Sequence, residues 1–220
     1  MIKAFIFDLD GVLVDTAKYH YKAWKALAKE IGIDFSEKEN EQLKGISRKE
    51  SLELILEWAN ISLNEDRKQE LMELKNTWYL QHIKNMDASE LLEGVEDFLS
   101  QSKSLGLKIA LGSASKNALP ILEKTNILQY FDVIVDGNHT TKSKPHPQVF
   151  LMGSEKLAVK PEEAIVFEDS LAGIQAANTG NFKSLGIGSE EILKEADLVF
   201  KGLFQINPQT LLNEFNSHAQ

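Results

Sequence analysis

The sequence predicts an α/β fold, with a Rossmann-like core built on a parallel sheet and an all-helical segment inserted into it. Apolar residues 2–7 form a short run of the kind that a buried parallel strand requires. After residue 105, short apolar runs alternate with helical segments, which is typical of a parallel sheet with helices on its faces. Between these two regions, residues 16–88 show helical patterns only. The first strand must join the later sheet, because alone it would bury nothing.

The first strand ends in acidic residues. Asp8 and Asp10 stand two positions apart directly after the apolar run, and Gly11 and Asp15 follow in the same turn. Open parallel sheets place their binding crevice at the carboxyl ends of the strands. Two acids buried there are costly unless a cation is present. This strand end therefore predicts a metal ion and an electrophilic substrate.

The inserted segment is predicted to contain four helices, the first of which covers residues 16–31. The second is expected to run toward residues 44–45. Residues that favour helix N-termini mark the starts of the other three: Ser36 with Glu39, Ser47 with Glu50, and Asn64.

Five further apolar runs predict the remaining strands, at residues 107–111, 133–135, 164–167, 184–187 and 198–200. We therefore expect two domains, with residues 1–15 and 89–220 forming the α/β core and residues 16–88 forming a helical cap. Residues 216–220 are expected to be frayed.

Composition narrows the class of protein. The chain has 220 residues, 43% of them hydrophobic and 26% charged, as in an ordinary globular protein. A formal net charge of −9 argues against nucleic acid or an anionic membrane as a partner. The absence of cysteine excludes disulfides and thiol catalysis and fits a cytoplasmic location. The apolar N-terminus is interrupted by two acids, so it fits neither a signal peptide nor a membrane span. No surplus apolar stripe is evident, and we expect a monomer.

Polar residues follow three later strands as well. Ser113 ends the second strand, where free backbone donors could bind a phosphate, and Asn117 is expected to cap the next helix because Pro120 suits a first turn. Lys144 precedes a proline in the loop after the third strand. Glu168 and Asp169 end the fourth strand. Together these groups could hold Mg²⁺ and a phosphoryl group.

These motifs in this order resemble the haloacid dehalogenase (HAD) superfamily of phosphotransferases: DxDGV, a strand ending in serine, lysine before proline, and a strand ending in ED. In that superfamily a helical insert after the first motif is a cap domain. The resemblance extends to the phosphomutases of the superfamily through a further set of residues: Thr16, His20 and Trp24, residues 44–48 with Ser51, residues 75–76, and residues 113–117.

The resemblance implies a mechanism. Asp8 would be the nucleophile that forms an aspartyl phosphate, and Asp10 would be the general acid and base. Mg²⁺ would be held by Asp8, the main-chain carbonyl of Asp10 and Asp169, with Glu168 binding directly or through water. The implied catalytic set is Asp8, Asp10, Ser113, Lys144 and His20. A cis peptide bond between Lys144 and Pro145 is also implied.

The cap gives an independent argument for a second phosphate site. Arg48 follows Ser47 at a helix start, so a guanidinium and free helix donors converge on one place. His20 lies one helical turn after Thr16, near the catalytic turn, and is expected to contact Asp10 or the substrate. The other four histidines receive no role. The full set expected to bind substrate is Thr16, Trp24, Lys44, Gly45, Ile46, Ser47, Arg48, Ser51, Lys75, Ala114, Ser115, Lys116 and Asn117.

Three functions remain open at this point. The leading one is an isomerase that moves a phosphoryl group between C1 and C6 of β-glucose phosphate, with β-glucose 1-phosphate as substrate and the β-glucose 1,6-bisphosphate as intermediate. The second is a sugar-phosphate phosphatase with the same core motifs. The third is a receiver-type phospho-switch, which predicts its aspartate on a strand in the middle of the sheet and no helical insert. Only the cap residues favour the first over the second.

Overall fold

The computed structural model describes residues 1–217. Six strands form one sheet in the order β3-β2-β1-β4-β5-β6, and every neighbouring pair is parallel. The strands are β1 (Ala4–Phe7), β2 (Lys108–Gly112), β3 (Val133–Val135), β4 (Ala164–Glu168), β5 (Lys183–Ile187) and β6 (Leu198–Phe200). All six lie where the sequence predicted them, within two residues, and the α/β fold class is confirmed.

Helices fill the remaining layers. In the inserted segment they are α1 (Ala17–Glu30), α2 (Glu37–Glu41), α3 (Arg48–Trp58) and α4 (Glu65–Ile83). Around the sheet they are α5 (Val95–Ser104), α6 (Ala118–Lys124), α7 (Gln148–Leu157), α8 (Leu171–Thr179) and α9 (Pro208–Ser217). Helix α2 is shorter than expected because the backbone after Glu41 continues in tighter turns, in which residues 42–44 each donate to the carbonyl three positions earlier.

Strand β1 lies at the centre of the core, and its four residues are fully buried. Its side chains alternate between two apolar layers: Phe5 and Phe7 pack on one face of the sheet, Ala4 and Ile6 on the other. The ring of Phe7 stacks on that of Phe167 in β4, with 4.5 Å between centroids. This packing fixes the end of β1, from which Asp8 emerges.

The inserted helices have an apolar cluster of their own. Trp24 and Leu27 of α1 pack with Leu52 and Ile55 of α3 and with Leu71 of α4. The N-terminal half of α1 and the last two turns of α4 contribute instead to the core cluster beside the sheet, through residues such as Tyr79. A separate cluster in this segment is what the expected cap domain requires; the boundary at residues 15–16 and 88–89 stays a prediction.

The strand order excludes the receiver-type phospho-switch, although the position of Asp8 in the sheet does not. Strand β1 stands in the middle of the sheet, so the strand position of Asp8 does not distinguish a receiver from an enzyme. Receivers have the strand order 2-1-3-4-5, whereas this sheet runs 3-2-1-4-5-6. The four helices inserted after β1 are a second difference.

Residues 216 and 217, which were expected to be frayed, belong to a helix. Asn216 belongs to α9, and its side-chain oxygen accepts a hydrogen bond of 3.0 Å from the backbone of Ile2. The expected fraying of residues 218–220 lies outside the described residues. Within residues 1–217, no helix combines the length and apolar character that a membrane crossing needs.

Candidate active site

A cleft of about 390 Å³ lies between the inserted helices and the carboxyl edge of the sheet. All five residues expected to be catalytic line it. The residues expected to bind substrate that also line it are Trp24, Lys44, Gly45, Ile46, Ser47, Arg48, Ser51, Lys75, Ala114, Ser115, Lys116 and Asn117. Residues more than 100 positions apart in sequence therefore meet in one place.

Asp8, Lys144 and Glu168 form a buried charge cluster at the floor of the cleft. The ammonium of Lys144 donates to Asp8 Oδ1 and to Glu168 Oε1, both at 2.5 Å. Burial raises the pKa of Asp8 well above its ordinary value, and the lysine offsets only part of that effect. Burial alone would lower the pKa of Lys144, but the attraction of Asp8 and Glu168 outweighs it and raises that pKa. The peptide bond between Lys144 and Pro145 is cis.

Glu168 stands behind this lysine, and its expected part in holding the metal, directly or through water, stays a prediction. One carboxylate oxygen accepts from Lys144, and the other accepts from the backbone and the hydroxyl of Ser170, at 3.0 and 2.8 Å. Glu168 is fully buried, and the cleft lining among the described residues does not include it. Gly173 leaves room for this carboxylate, which a Cβ at that position would strike. Glu168 therefore orients Lys144 in this structure.

Thr16 also has a role different from the expected one. It is fully buried, is absent from the cleft lining among the described residues, and donates its hydroxyl proton to Asp10 Oδ1. Thr16 thus fixes the Asp10 carboxylate and does not contact the substrate space. Burial raises the pKa of Asp10, and the hydrogen bond from Thr16 opposes that rise.

His20 points toward the same carboxylate. Its Nε2 atom lies 3.7 Å from Asp10 Oδ1, is buried, and has no hydrogen-bond partner among residues 1–217. Its Nδ1 atom is 3.0 Å from the ammonium of Lys75. Burial lowers the pKa of His20 well below its usual range, and the nearby cations Lys75 and Arg48 lower it further. A neutral ring that accepts from Lys75 at Nδ1 carries its proton on Nε2, facing Asp10.

Lys75 is almost entirely enclosed, with 2% of its surface exposed. Its ammonium lies 4.7 Å from the ring centre of Trp24 and 4.9 Å from that of Tyr79, as in cation–π contacts. Burial and the charge of Arg48 lower the pKa of Lys75 to about 7. In this structure Lys75 contacts His20 and two aromatic rings, and its expected part in binding substrate stays a prediction.

Two glycines allow groups to approach closely in the cleft. Gly11 has a φ of +85°, and a Cβ there would strike the Asp169 carboxylate. A Cβ on Gly45 would lie 2.5 Å from Ser170 Oγ and 3.6 Å from a side-chain carbon of Lys144. Gly45 thus lets the inserted segment contact the sheet end directly.

The loop between β2 and α6 departs from expectation in two details. The backbone N–H of Ser113 is occupied, because it donates to Val135 in the sheet at 3.0 Å, and Ser113 Oγ accepts from Ser115 N at 3.1 Å. Asn117 occupies the N-cap position of α6, but its side chain makes no capping bond. It donates instead to Asn76 Oδ1 at 3.0 Å. Within residues 1–217, the N–H groups of Ala114 and Lys116 have no internal acceptor and remain available to a ligand.

Two residues outside the expected catalytic and substrate-binding sets organise the site, although the family resemblance included Asn76 beside Lys75. Asn76 accepts from both Arg48 and Asn117, and Tyr79 closes the pocket of Lys75 with a buried hydroxyl that has no partner among the described residues. Both lie on α4, at one and four positions after Lys75. Helical spacing from Lys75 was the signal that would have found Tyr79. Residues 140–143 also line the cleft, and no sequence signal marked them.

Comparison with known proteins now adds to this geometry. The sequence profile of the haloacid dehalogenase-like hydrolase family matches residues 5–187. The chain belongs to that family. It is 40% identical to the β-phosphoglucomutase of Bacillus subtilis strain 168 over 99% of this chain and 97% of that protein. It is 31% identical to a phosphorylated carbohydrates phosphatase of Thermotoga maritima, over 96% and 97% of the two chains.

Its fold is also similar to a crystal structure of β-phosphoglucomutase from Clostridium difficile. The TM-score is 0.96 at 45% sequence identity, and the match covers 100% of this chain and 99% of that one. The relatives thus include both phosphomutases and phosphatases, two activities between which the core motifs do not distinguish.

The donor set of the cleft fits a divalent cation, which this family implies. Asp8 and Asp169 both line the cleft, and burial raises the pKa of Asp169 to about 7, with the charge of Glu168 adding to the effect. Buried acids with raised pKa values are groups that a cation with oxygen ligands would stabilise in ionised form. Within residues 1–217, no three acidic or histidine side chains form a ready metal cluster, and Lys44 lies 3.2 Å from Asp169 Oδ2. The remaining ligands must therefore come from main-chain oxygen, water or substrate.

We predict that Lys75→Met stabilises the free protein at pH 7 by about 1–3 kcal/mol, because burial of an ammonium without a carboxylate partner opposes folding. The folded pKa of Lys75, about 7, lies below its value of 10.5 in an unfolded chain. Folding therefore releases a proton between these two values, and the cost of burying Lys75 falls as the pH rises. The gain from the substitution should be smaller at pH 9.5 than at pH 7, as measured by urea unfolding.

Lys29→Met, at an exposed position of α1, is the control and should show no such pH-dependent gain. A Lys75→Met protein less stable than the parent at pH 7 would show that the hydrogen bond to His20 and the cation–π contacts outweigh the burial cost.

Proposed function

We propose that this chain is a β-phosphoglucomutase, which interconverts β-glucose 1-phosphate and glucose 6-phosphate through an aspartyl phosphate and β-glucose 1,6-bisphosphate. One observation carries the proposal beyond the likeness to relatives. This cleft has a nucleophile with a cation at its floor, Asp8 with Lys144, and a second set of anion-binding donors, Arg48 and Asn117, on its lining. A substrate with two phosphates needs two such sites.

Asp8 is the proposed nucleophile. A carboxylate oxygen of Asp8 attacks phosphorus of the bisphosphate, the new bond to Asp8 forms, and the bond from phosphorus to the sugar oxygen breaks. Lys144 holds the Asp8 carboxylate in place and offsets negative charge at the floor of the cleft. The hydroxyl of Ser113 and the free N–H of Ala114 are positioned to bind oxygens of the phosphoryl group.

Asp10 is the proposed general acid and base. It gives a proton to the sugar oxygen as the bond from that oxygen to phosphorus breaks. In the other half-reaction it takes a proton from the sugar hydroxyl that attacks the aspartyl phosphate, and the bond between phosphorus and Asp8 breaks. Its raised pKa favours the protonated form, which a proton donor requires. His20, with its proton on Nε2, stabilises the ionised form of Asp10 after the proton has left. Lys75 fixes the orientation of that ring.

Mg²⁺ is the proposed metal ion, held by the carboxylates of Asp8 and Asp169 and by the main-chain carbonyl of Asp10. When bound, it would supply positive charge that stabilises the crowded oxygens of nucleophile and phosphoryl group. In the free protein the ammonium of Lys44 lies 3.2 Å from Asp169 Oδ2. A cation bound by Asp169 would displace this ammonium and leave Lys44 available to the substrate.

Exclusion of water separates a mutase from a phosphatase with the same core. The inserted segment lies against the sheet end through Gly45 and Lys44, directly above Ser170 and Asp169. An aspartyl phosphate enclosed in this way passes to a sugar hydroxyl rather than to water. The phosphatase relative makes a hydrolase of sugar phosphates the second candidate, in which this enclosure is incomplete.

The proposal is tested by turnover of β-glucose 1-phosphate. With Mg²⁺ and a catalytic amount of β-glucose 1,6-bisphosphate, we expect stoichiometric glucose 6-phosphate and little inorganic phosphate. Removal of the metal by chelation should abolish turnover, and added Mg²⁺ should restore it. Rapid phosphate release without glucose 6-phosphate would identify a hydrolase, and full turnover after thorough chelation would refute the metal assignment.

For Asp10 we predict that Asp10→Asn lowers mutase turnover by about 10²- to 10⁴-fold, because an amide cannot protonate the leaving sugar oxygen. Phosphorylation of Asp8 by acetyl phosphate should persist, since acetate is a good leaving group without a proton. Intact-protein mass spectrometry measures this phosphorylation of Asp8. Asp15→Asn, in the same turn but paired with the surface lysine Lys18, is the matched control and should retain turnover. Equal loss of both activities would contradict a proton-transfer role.

For the second phosphate site we predict that Arg48→Ala raises the KM for β-glucose 1,6-bisphosphate by about 10- to 100-fold, as loss of a charged hydrogen bond to phosphate would. Hydrolysis of p-nitrophenyl phosphate, which carries one phosphate, should change little. The chain has a second arginine, Arg67, which pairs with Glu70 on the surface, so Arg67→Ala is the control. If Arg48→Ala harms both substrates equally, Arg48 does not bind a second phosphate.

A further inference from the structure

We infer that Asn76 is a positioning residue that sets the affinity of the second phosphate site by holding Arg48 and Asn117 in register. The inference rests on the proposed function, because it concerns the site that a bisphosphate would require. It adds a residue whose side chain acts through its neighbours and assigns it a measurable part in selecting substrates with two phosphates.

One oxygen atom joins three elements. Asn76 Oδ1 accepts from Arg48 Nη2 at 2.7 Å and from Asn117 Nδ2 at 3.0 Å. Arg48 is the first residue of α3, Asn76 lies in the fourth turn of α4, and Asn117 precedes α6 beside the sheet. A carboxamide oxygen has two lone pairs, and both are used here. The two donors, from the inserted segment and from the core, are thereby held at one point.

Asn76 stands behind the site. Among the described residues, the lining of the cleft includes Arg48, Lys116 and Asn117 but not Asn76. Each of its two partners has further donors: a guanidinium has five N–H groups, and a carboxamide nitrogen has two. One donor from each is committed to Asn76, and the rest remain available on the cleft side.

Asn76 carries no charge, so its hydrogen bond leaves the positive charge of Arg48 intact. Arg48 is partly buried and has no carboxylate within 4.0 Å among residues 1–217. A carboxamide fixes the direction of the guanidinium without neutralising it, so the full positive charge stays available to an incoming phosphate. A carboxylate at position 76 would fix the same direction and compete with the phosphate.

The test is a double-mutant cycle on the KM for β-glucose 1,6-bisphosphate. Asn76→Ala should raise this KM by about 10-fold, with little change in kcat or in hydrolysis of p-nitrophenyl phosphate. In an Arg48→Ala, Asn117→Ala background, where its partners are gone, Asn76→Ala should add less than about 2-fold. Thr77→Ala, at the neighbouring exposed position of α4, is the matched control.

Asn76→Asp separates orientation from charge. It keeps an acceptor for both donors, so the protein should fold with unchanged thermal stability, while the added charge raises the KM for the bisphosphate in low salt and less so in high salt. An additive effect of Asn76→Ala in the double-mutant background would overturn the inference, because it would mean that Asn76 binds the ligand directly. Equal losses with p-nitrophenyl phosphate would also overturn it and indicate a structural role.

Failure of the proposed function is read out separately. If the parent protein does not convert β-glucose 1-phosphate to glucose 6-phosphate, the mutase assignment fails, and the cycle can then be measured on binding of the bisphosphate by titration calorimetry. Non-additivity in binding would support the role of Asn76 even in that case, whereas additivity there would overturn it.

Discussion

The active site depends on a single lysine held between two buried carboxylates. Lys144, Asp8 and Glu168 are each at least 95% buried, and two like charges about 4 Å apart repel by about 4 kcal/mol at an effective dielectric of 20. Lys144 offsets that repulsion, and in turn Glu168 and Ser170 fix its direction. The packed aromatic layer under β1 holds the Asp8 end of the cluster, so the charge geometry depends on the apolar core beneath it.

A second chain of contacts couples the inserted helices to the acid–base group. Thr16 and His20, at the start of α1, reach Asp10 from the insert side, and Lys75 of α4 sets the orientation of His20. Any rotation of α1 and α4 away from the sheet would move both groups that control Asp10. Because α4 also carries Asn76, which accepts a hydrogen bond from Arg48 of α3, the same displacement would also alter the second set of anion-binding donors.

Much of the fold was predictable from the sequence because its signals are local. Six apolar runs and three capping patterns located nearly every strand and inserted helix, and strand ends with polar residues located the cleft. The directions in which polar side chains point were not predictable. The sequence gives no means of knowing that both oxygens of Glu168 are used by Lys144 and Ser170, or that Thr16 faces Asp10 rather than substrate. The family resemblance included Asn76 but gave it no role, since a contact between residues 41 positions apart leaves no periodic trace.

The distribution of charge explains how one core serves two reactions. The chain has a formal net charge of −9, yet its cleft is lined by Lys44, Arg48, Lys75, Lys116 and Lys144. A phosphatase needs cationic groups only where phosphorus is attacked, because water is its acceptor. A mutase must bind the same bisphosphate in two opposite orientations, so both ends of the cleft need donors of similar strength. Arg48, on the insert, contacts Asn76 and not the charge cluster at Asp8, so attack at phosphorus does not require it. Its orientation by a neutral side chain, rather than neutralisation by a carboxylate, suits a second phosphate site.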